Sequence, residues 1–331
     1  MELRYKKVLV TGAGGFIGSH LTERLVKESA KVRALVNYNS RNDFGKIEEI
    51  PIDIKKQIEI VDRDFRDSNL VMKITRDIDI IFHLGARISV PHSYDTPRDH
   101  IQTNILGTLN FLESALEHGT EKIITTSTSE TYGTALYTPI DENHPLQAQS
   151  PYAASKAGAD ILAKSFYCSF KLPLVIVRPF NTYGPRQSDR AVIPTIISQA
   201  IMGEKINIGS LEPKRDFTYV TDIVDAFIKT AECNNSIGEI INIGSGSTFS
   251  IKDIVKITSK ILGKDLESKI EVKKERKRPE NSEVLLLLCD NSKAKKLLGW
   301  QPKISLEDGL KNVVEYIQAN LDKYHTNKYN I

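Results

Sequence analysis

The sequence predicts an α/β protein built on a doubly wound parallel sheet, with a smaller mixed α/β lobe over the sheet's C-terminal edge. Three observations carry this. Short apolar runs at 6–10, 31–36, 78–86 and 122–126 alternate with helical stretches. Parallel strands need such crossovers, since the chain must return along a helix before it can pair again. The first run enters a glycine-rich turn and leaves it as a helix, SHLTERLVKE. Beyond Asn181-Thr-Tyr183-Gly184-Pro185-Arg186 the turn residues break the regular pattern and the elements shorten.

A chain of 331 residues is long enough for two domains, or for one large unit with a smaller lobe. The expected division is 1–180 with about 220–245 for the larger unit, and 181–219 with 246–331 for the lobe. With 45 basic against 42 acidic residues the net charge is +3, too balanced to point to nucleic acid. Any anionic partner is expected to be small. Cys168, Cys233 and Cys289 stand far apart with no metal-ligand spacing, so neither disulfides nor a metal centre are expected, and a reducing cytoplasm fits. MELRYKKVLVTG runs straight into a strand pattern, and no apolar run approaches the length of a membrane span; no signal peptide and no membrane insertion are expected.

In chain order, the first strand opens into Thr11-Gly12-Ala13-Gly14-Gly15-Phe16-Ile17-Gly18. Gly12, Gly15 and Gly18 have the spacing that gives a tight turn, close approach of backbone to a pyrophosphate, and close packing of helix on strand. A Rossmann-like dinucleotide site follows. The strand 31–36 should end at the adenosine ribose, where an acidic residue normally holds the 2′-hydroxyl of NAD. Here Asn37 stands, followed by Ser40 and Arg41, so a 2′-phosphate meets no repulsion and Arg41 is able to pair with it. Asn37 can still bond a ribose; NAD and NADP both remain open. Asp64, after the next strand, is placed to meet the adenine edge. The run 78–86 ends in Leu84-Gly85-Ala86, small enough for a cofactor backbone to pass, and His83 beside it reads as structural. A helix is expected over 103–118, carrying Asn104 and Gly107, and a strand over 122–126.

The stretch TTSTSETYGTALYTPIDENHPLQAQSPYAASKAGA, from Thr125 to Ala159, concentrates the chemistry. Tyr152 and Lys156 lie one helical turn apart, so an ammonium can stand near a phenol and favour the phenolate. Glu130 supplies a second proton-transfer group, which a plain alcohol dehydrogenase would not need. Further on, a strand is expected at 174–178, a helix at 193–203, a short strand at 216–219 and a helix at 222–230. A strand at 238–243, a helix at 251–262, a short buried strand at Val284–Leu288 and a last helix at 305–317 follow. Of the charge run Lys273–Arg278, most reads as solvated loop, whereas Arg278 beside Pro279 is able to hold a diphosphate bidentately.

Taken together, TGAGGFIGSHL, FHLGA, STSETYG, SPYAASKAGAD, RPFNTYGPR, RDFTYVTDIVDAF and RPENSEVLLLLCDNSKAKKLLGWQP resemble the extended short-chain dehydrogenase/reductase family, and within it the nucleotide-sugar 4,6-dehydratases. The resemblance covers nearly the whole chain. It implies an N-terminal nicotinamide-binding domain, a C-terminal nucleotide-sugar lobe and a homodimer joined by a helix bundle. On the cofactor side or its support it implies Gly12, Gly15, Phe16, Ile17, Gly18, Asp64, Phe65, Leu84, Gly85, Ala86, Asn104 and Ser127, with Tyr152 and Lys156. On the sugar-nucleotide side it implies Asn181, Arg186, Val192, Arg215 and Arg278. Thr128, Ser129 and Glu130 complete the catalytic set. Sugar 4-epimerases of the family usually have small residues where Glu130 stands. Dehydratases acting on dTDP-glucose carry Asp in place of Ser129, and those acting on GDP-mannose resemble the Thr-Ser-Glu found here. In overall pattern the chain is most similar to the N-acetylglucosamine 4,6-dehydratases of legionaminic-acid-type pathways, which feed deoxysugars into cell-surface polysaccharide.

The reaction so implied starts with Tyr152 taking the O4 proton while Thr128 positions that hydroxyl. Glu130 then removes the C5 proton, and Ser129 or Glu130 protonates the departing C6 hydroxyl. The carrier, UDP or GDP, stays open. UDP-glucuronate decarboxylases also resemble STSETYG and NTYGPR, and a 4-epimerase would use the same fold; both remain alternatives. A non-catalytic dinucleotide sensor is the alternative of another class.

Overall fold

The computed structural model describes residues 2–37, 39, 43–203 and 205–324. Ser40 and Arg41 lie outside the described residues.

The central sheet is parallel throughout. Its strands are β1 (Lys7–Thr11), β2 (Lys31–Val36), β3 (Glu59–Asp62), β4 (Ile80–His83), β5 (Lys122–Thr126), β6 (Leu174–Pro179) and a last strand Ile240–Ile243. Their spatial order is Ile240–Ile243, β6, β5, β4, β1, β2, β3. Winding runs outward in both directions from β1 and β4, so the order reverses between them, and the cleft above their C-terminal ends is where ligands of open α/β sheets bind.

Side-chain alternation explains why both faces are covered. Val8, Val10, Val32, Ala34, Ile80, Phe82, Val175 and Val177 point into one core, shared with helices α1 (Phe16–Lys27) and Val220–Glu232. Leu9, Leu35, Ile81, Ile123, Leu174 and Ile176 point into another, shared with helices Ser68–Ile74, Gly107–His118 and Pro151–Phe170. Successive residues of a strand face opposite ways, and in a parallel sheet both faces must be apolar.

A separate core joins helices Val192–Met202, Ile251–Leu262 and Leu306–Ala319 to three two-stranded pairs. Lys214–Arg215 pairs with Phe249–Ser250, Phe217–Tyr219 with Asn181–Tyr183, and Ile206–Ile208 with Ile270–Val272.

Two local expectations change. The helix expected over 103–118 is instead Pro97–Ile101 and Gly107–His118, joined by the π-type turn Gln102–Leu106. The extra residue in that turn carries Asn104 inward, as such bulges do at functional sites. Val284–Leu288 is not a buried strand. It joins no named sheet: Leu286 bridges to Lys214, the Leu288 carbonyl accepts from the Ile140 N–H at 2.7 Å, and Leu285 is exposed between buried Val284 and Leu287. An apolar run of five does not distinguish an extended cover segment from a sheet member.

Among the described residues no helix is long and apolar enough to cross a membrane, and no cluster of His, Cys, Asp and Glu has metal-binding geometry.

Candidate active site

The glycine turn after β1 is shaped by close approach. Gly12 has φ +66°, and a Cβ there would lie 2.9 Å from the Gly85 Cα; a Cβ on Gly18 would strike the Gly12 carbonyl oxygen. Both positions exclude side chains. Helix α1 starts at Phe16 with Gly15 as its cap, with no capping side chain and no acidic residue in its first turn. Its first backbone N–H groups therefore have no partner from a cap, and the helix end carries partial positive charge. This fits a dinucleotide pyrophosphate.

The Thr11 hydroxyl pins the ends of β1 and β4 together, accepting from the Gly85 N–H at 2.8 Å and meeting His83 Nδ1 at 2.8 Å. His83 Nε2 reaches the Thr108 hydroxyl at 3.1 Å. Both ring nitrogens are thus engaged, and burial pushes the imidazole pKa down to about 3, helped by the Lys156 charge. His83 is structural, as expected. Phe65 lies against Gly85 and Gly107 and meets the His83 ring edge-on. Asp64 pairs with Arg66 at 2.5 Å, which holds its carboxyl below the usual range, while Asn37 is exposed just past β2. Leu84 and Ala86 are partly buried beside Gly85, and Phe16 and Ile17 pack toward the second lobe's core.

The Tyr-Lys helix, Pro151–Phe170, begins where Ser150 accepts from the Ala153 N–H and Pro151 occupies the first position. Tyr152 and Lys156 are both buried. Thr128 caps the short turn Ser129–Tyr132 and brings its hydroxyl to the Tyr152 phenol; Ser129 and Glu130 are buried in that turn. Lys156 was expected to bring the phenol into working range. Instead burial raises the Tyr152 pKa to about 12, the Thr128 hydroxyl opposes the rise, and the Glu130 and Asp160 charges add to it. Burial also lowers the Lys156 pKa, with Asp160 opposing. Two desolvated groups one turn apart each disfavour charge, and an added positive charge in the cleft is what would tip the phenol.

Several supporting contacts escaped the sequence reading. Asn104 accepts from the Arg87 N–H at 2.8 Å, donates to the Arg87 carbonyl at 3.0 Å and donates to the Ser155 hydroxyl at 2.8 Å. It therefore clamps the loop after β4 to the Tyr-Lys helix, the supporting one of the two roles expected for it. Ser127, expected near the cofactor, donates to Asp160 at 2.6 Å. Asp160 also receives Arg178 Nη2 at 2.9 Å, Arg178 Nη1 donates to the Tyr132 hydroxyl at 2.9 Å, and Tyr132 donates to Asn242 at 2.8 Å. A charged residue at each of two buried positions, an arginine within the apolar strand LVIVRP and an aspartate four past Lys156, was the available signal.

The residues expected around the sugar nucleotide divide. Arg278 reaches Glu130 at 3.0 Å, and Arg215 reaches Glu283 at 3.2 Å. The Asn181 Oδ1 is buried and without a hydrogen-bond partner. Val192 begins the helix Val192–Met202 and packs on the second core. Arg186 does not join them. With φ +67° it turns toward α1 and pairs with Glu23 at 2.6 Å, leaving Nη1 buried and unpartnered.

A family profile described as GDP-mannose 4,6 dehydratase matches residues 9–313. A putative UDP-glucose 4-epimerase of Methanocaldococcus jannaschii is 32% identical, over 95% of this chain and 99% of its own. The dTDP-D-glucose 4,6-dehydratase of Mus musculus is 33% identical, over 96% of this chain and 90% of its own. Among solved structures, DesIV, a dTDP-glucose 4,6-dehydratase of Streptomyces venezuelae determined with NAD bound, superposes with a TM-score of 0.88 at 28% identity, covering 96% of this chain and 98% of that one. The profile spans the cradle, the Tyr-Lys helix and the arginine-lined lobe alike, and the chain therefore belongs to the GDP-mannose 4,6 dehydratase family of extended short-chain dehydrogenase/reductases, enzymes that act on nucleotide sugars.

Proposed function

We propose that this protein is a nucleotide-sugar 4,6-dehydratase that recycles its nicotinamide cofactor, acting on UDP- or GDP-N-acetylglucosamine to give a 4-keto-6-deoxy product. The observation that carries the reading is a buried carboxylate, Glu130, near enough to Tyr152 for its charge to oppose ionisation of the phenol. Oxidation at C4 alone needs only Tyr152 and Lys156; a second proton-transfer group beside them serves an elimination.

The residues that would hold the cofactor are the Gly12–Gly18 turn, Asn37, Phe65 and Gly85, with NAD or NADP both acceptable. Bound there, a nicotinamide would supply the hydride acceptor for C4 and the hydride for C6, and its positive ring would favour the Tyr152 phenolate. Tyr152 takes the O4 proton with Thr128 orienting the hydroxyl. The C4 ketone acidifies C5–H, Glu130 removes that proton, the C6 hydroxyl leaves as water with a proton from Ser129 or Glu130, and C5 of the resulting 4-keto-5,6-ene takes up a proton exchangeable with solvent as hydride is delivered to C6. Arg215, Arg278 and Asn181 hold the diphosphate and sugar, so that binding energy from the nucleotide fixes C4 in place. The lobe at 181–219 and 246–331 is the nucleotide-sugar unit of this reading. Exposed Ile101, Leu106, Ile161 and Phe170, on helices that pack together, support a homodimer through a helix bundle.

The test is a panel of UDP-, GDP- and dTDP-sugars analysed by mass. The expected product is lighter by one water. Loss of carbon dioxide from UDP-glucuronate would instead mean a decarboxylase, and an isomer of unchanged mass a 4-epimerase, the activity named for the M. jannaschii relative.

A further inference from the structure

Two arginines and two carboxylates stand together where the proposed reading seats the diphosphate. Arg278 donates to Glu130 from Nη1 at 3.0 Å and from Nη2 at 3.4 Å, engaging both carboxylate oxygens. Arg215 donates to Glu283 at 3.2 Å. Arg215 is the most deeply set of the four, with a side chain 7% exposed. Burial lowers its pKa, the Arg278 charge adds to the fall, and Glu130 and Glu283 oppose it, so the two guanidiniums share one electrostatic neighbourhood. The four charges cancel. A dianionic diphosphate brought to this neutral set gains little unless the carboxylates yield the arginines. While Arg278 stays in place, both Glu130 oxygens already accept from its guanidinium, so the carboxylate is turned to the arginine and not to a sugar carbon.

We propose that Arg278 exchanges partners. The diphosphate of the nucleotide sugar draws its guanidinium off Glu130, and the carboxylate is released to work at C5 only when a nucleoside diphosphate is seated. This rests on the nucleotide-sugar reading of the site and adds to it a coupling between carrier binding and the base. Guanidinium forks bind phosphate oxygens as readily as carboxylates, so the exchange conserves the bidentate geometry. The coupling must be reciprocal: if the diphosphate displaces Glu130, then Glu130 must weaken diphosphate binding.

Reciprocity gives the experiment. UDP, GDP and dTDP carry no sugar to react, and each is titrated by calorimetry, with NAD present, into the wild type, Glu130→Gln, Arg278→Gln and the double variant. The expected result for the nucleotide that binds is that Glu130→Gln tightens it by about fivefold to tenfold, a range typical of coupling between close charge pairs. Arg278→Gln weakens it, and Glu130→Gln changes nothing in the Arg278→Gln background. If the tightening persists undiminished without Arg278, it is the general effect of removing a negative charge, and the exchange is overturned. Unchanged or weaker binding in Glu130→Gln overturns it as well, since Arg278 would then not be shared. Should Glu130→Gln fail to fold, Glu130→Asp, with a shorter reach toward Arg278, carries the same expected sign and the same dependence on Arg278. If none of the three diphosphates binds the wild type, the nucleotide-sugar reading itself falls, which separates the two failures.

Discussion

Tyr152 and Glu130 divide the proposed work, and their surroundings decide how separable the two halves are. Burial holds the Tyr152 phenol at about 12, so its ionisation depends on charge brought into the cleft. Tyr152→Phe is therefore expected to remove turnover by several orders of magnitude while nucleotide-sugar binding measured by calorimetry stays within a few-fold, since the lost hydroxyl acts in the transition state. Glu130→Gln is expected to leave oxidation at C4, seen as reduced-cofactor absorbance on mixing with substrate, and to lose the elimination. Full water loss in Glu130→Gln would show that another group is the base. His83 and the half-buried His20, whose Nε2 meets the Pro185 carbonyl at 3.0 Å, bear on stability through their protonation. Burial lowers them to about 3 and about 4. An unfolded histidine titrates near 6.5, so below that pH the unfolded chain binds protons that the folded one does not. The stabilisation is complete above about pH 6.5 and shrinks as pH falls toward 4 and then 3. Thermal unfolding followed from pH 7 to pH 4 should show a falling midpoint, with a shallower slope in His83→Gln.

Elements are where sequence and structure part company. The strand–helix alternation and the glycine turn were legible because period and spacing are local properties. So was the Tyr-Lys helix, which Ser150 and Pro151 announce. The π-type turn at Gln102–Leu106 was not legible: one residue of extra winding leaves no mark on apolar spacing, yet it decides that Asn104 clamps Arg87 to Ser155. Nor was the direction of Arg186, because a positive φ at a non-glycine residue is imposed by its tertiary partners, here Glu23. The chain from Ser127 through Asp160 and Arg178 to Tyr132 ties the Tyr-Lys helix to β6 and to the turn holding Glu130. Asp160→Asn strips a buried arginine of its counter-charge, and a loss of about 3–5 kcal/mol is expected in denaturant unfolding. A loss below about 1 kcal/mol would mean that solvent reaches Arg178 and that the network does not fix the turn.

At the scale of the molecule, the order of the sheet reverses between β1 and β4, and Arg215, on the strand paired with Phe249–Ser250, lies within electrostatic reach of Glu130 and Arg278. The family was legible from the order of motifs along nearly the whole chain; the pairing of Arg278 with Glu130 was not, because 148 residues separate them and only the closed fold brings them together. If the exposed apolar residues of helices Pro97–Ile101, Gly107–His118 and Pro151–Phe170 form a bundle with a second copy, Ile161→Glu should yield monomers in light scattering, and a wild type that is already monomeric would remove that part of the reading. The central claim is that a carboxylate beside a hydride acceptor turns C4 oxidation into loss of water. Its most direct test is turnover in deuterated water, with the product analysed by NMR. The account predicts one deuterium at C5 of a 4-keto-6-deoxy sugar; a product that keeps its C6 hydroxyl, with hydrogen retained at C5, would contradict it.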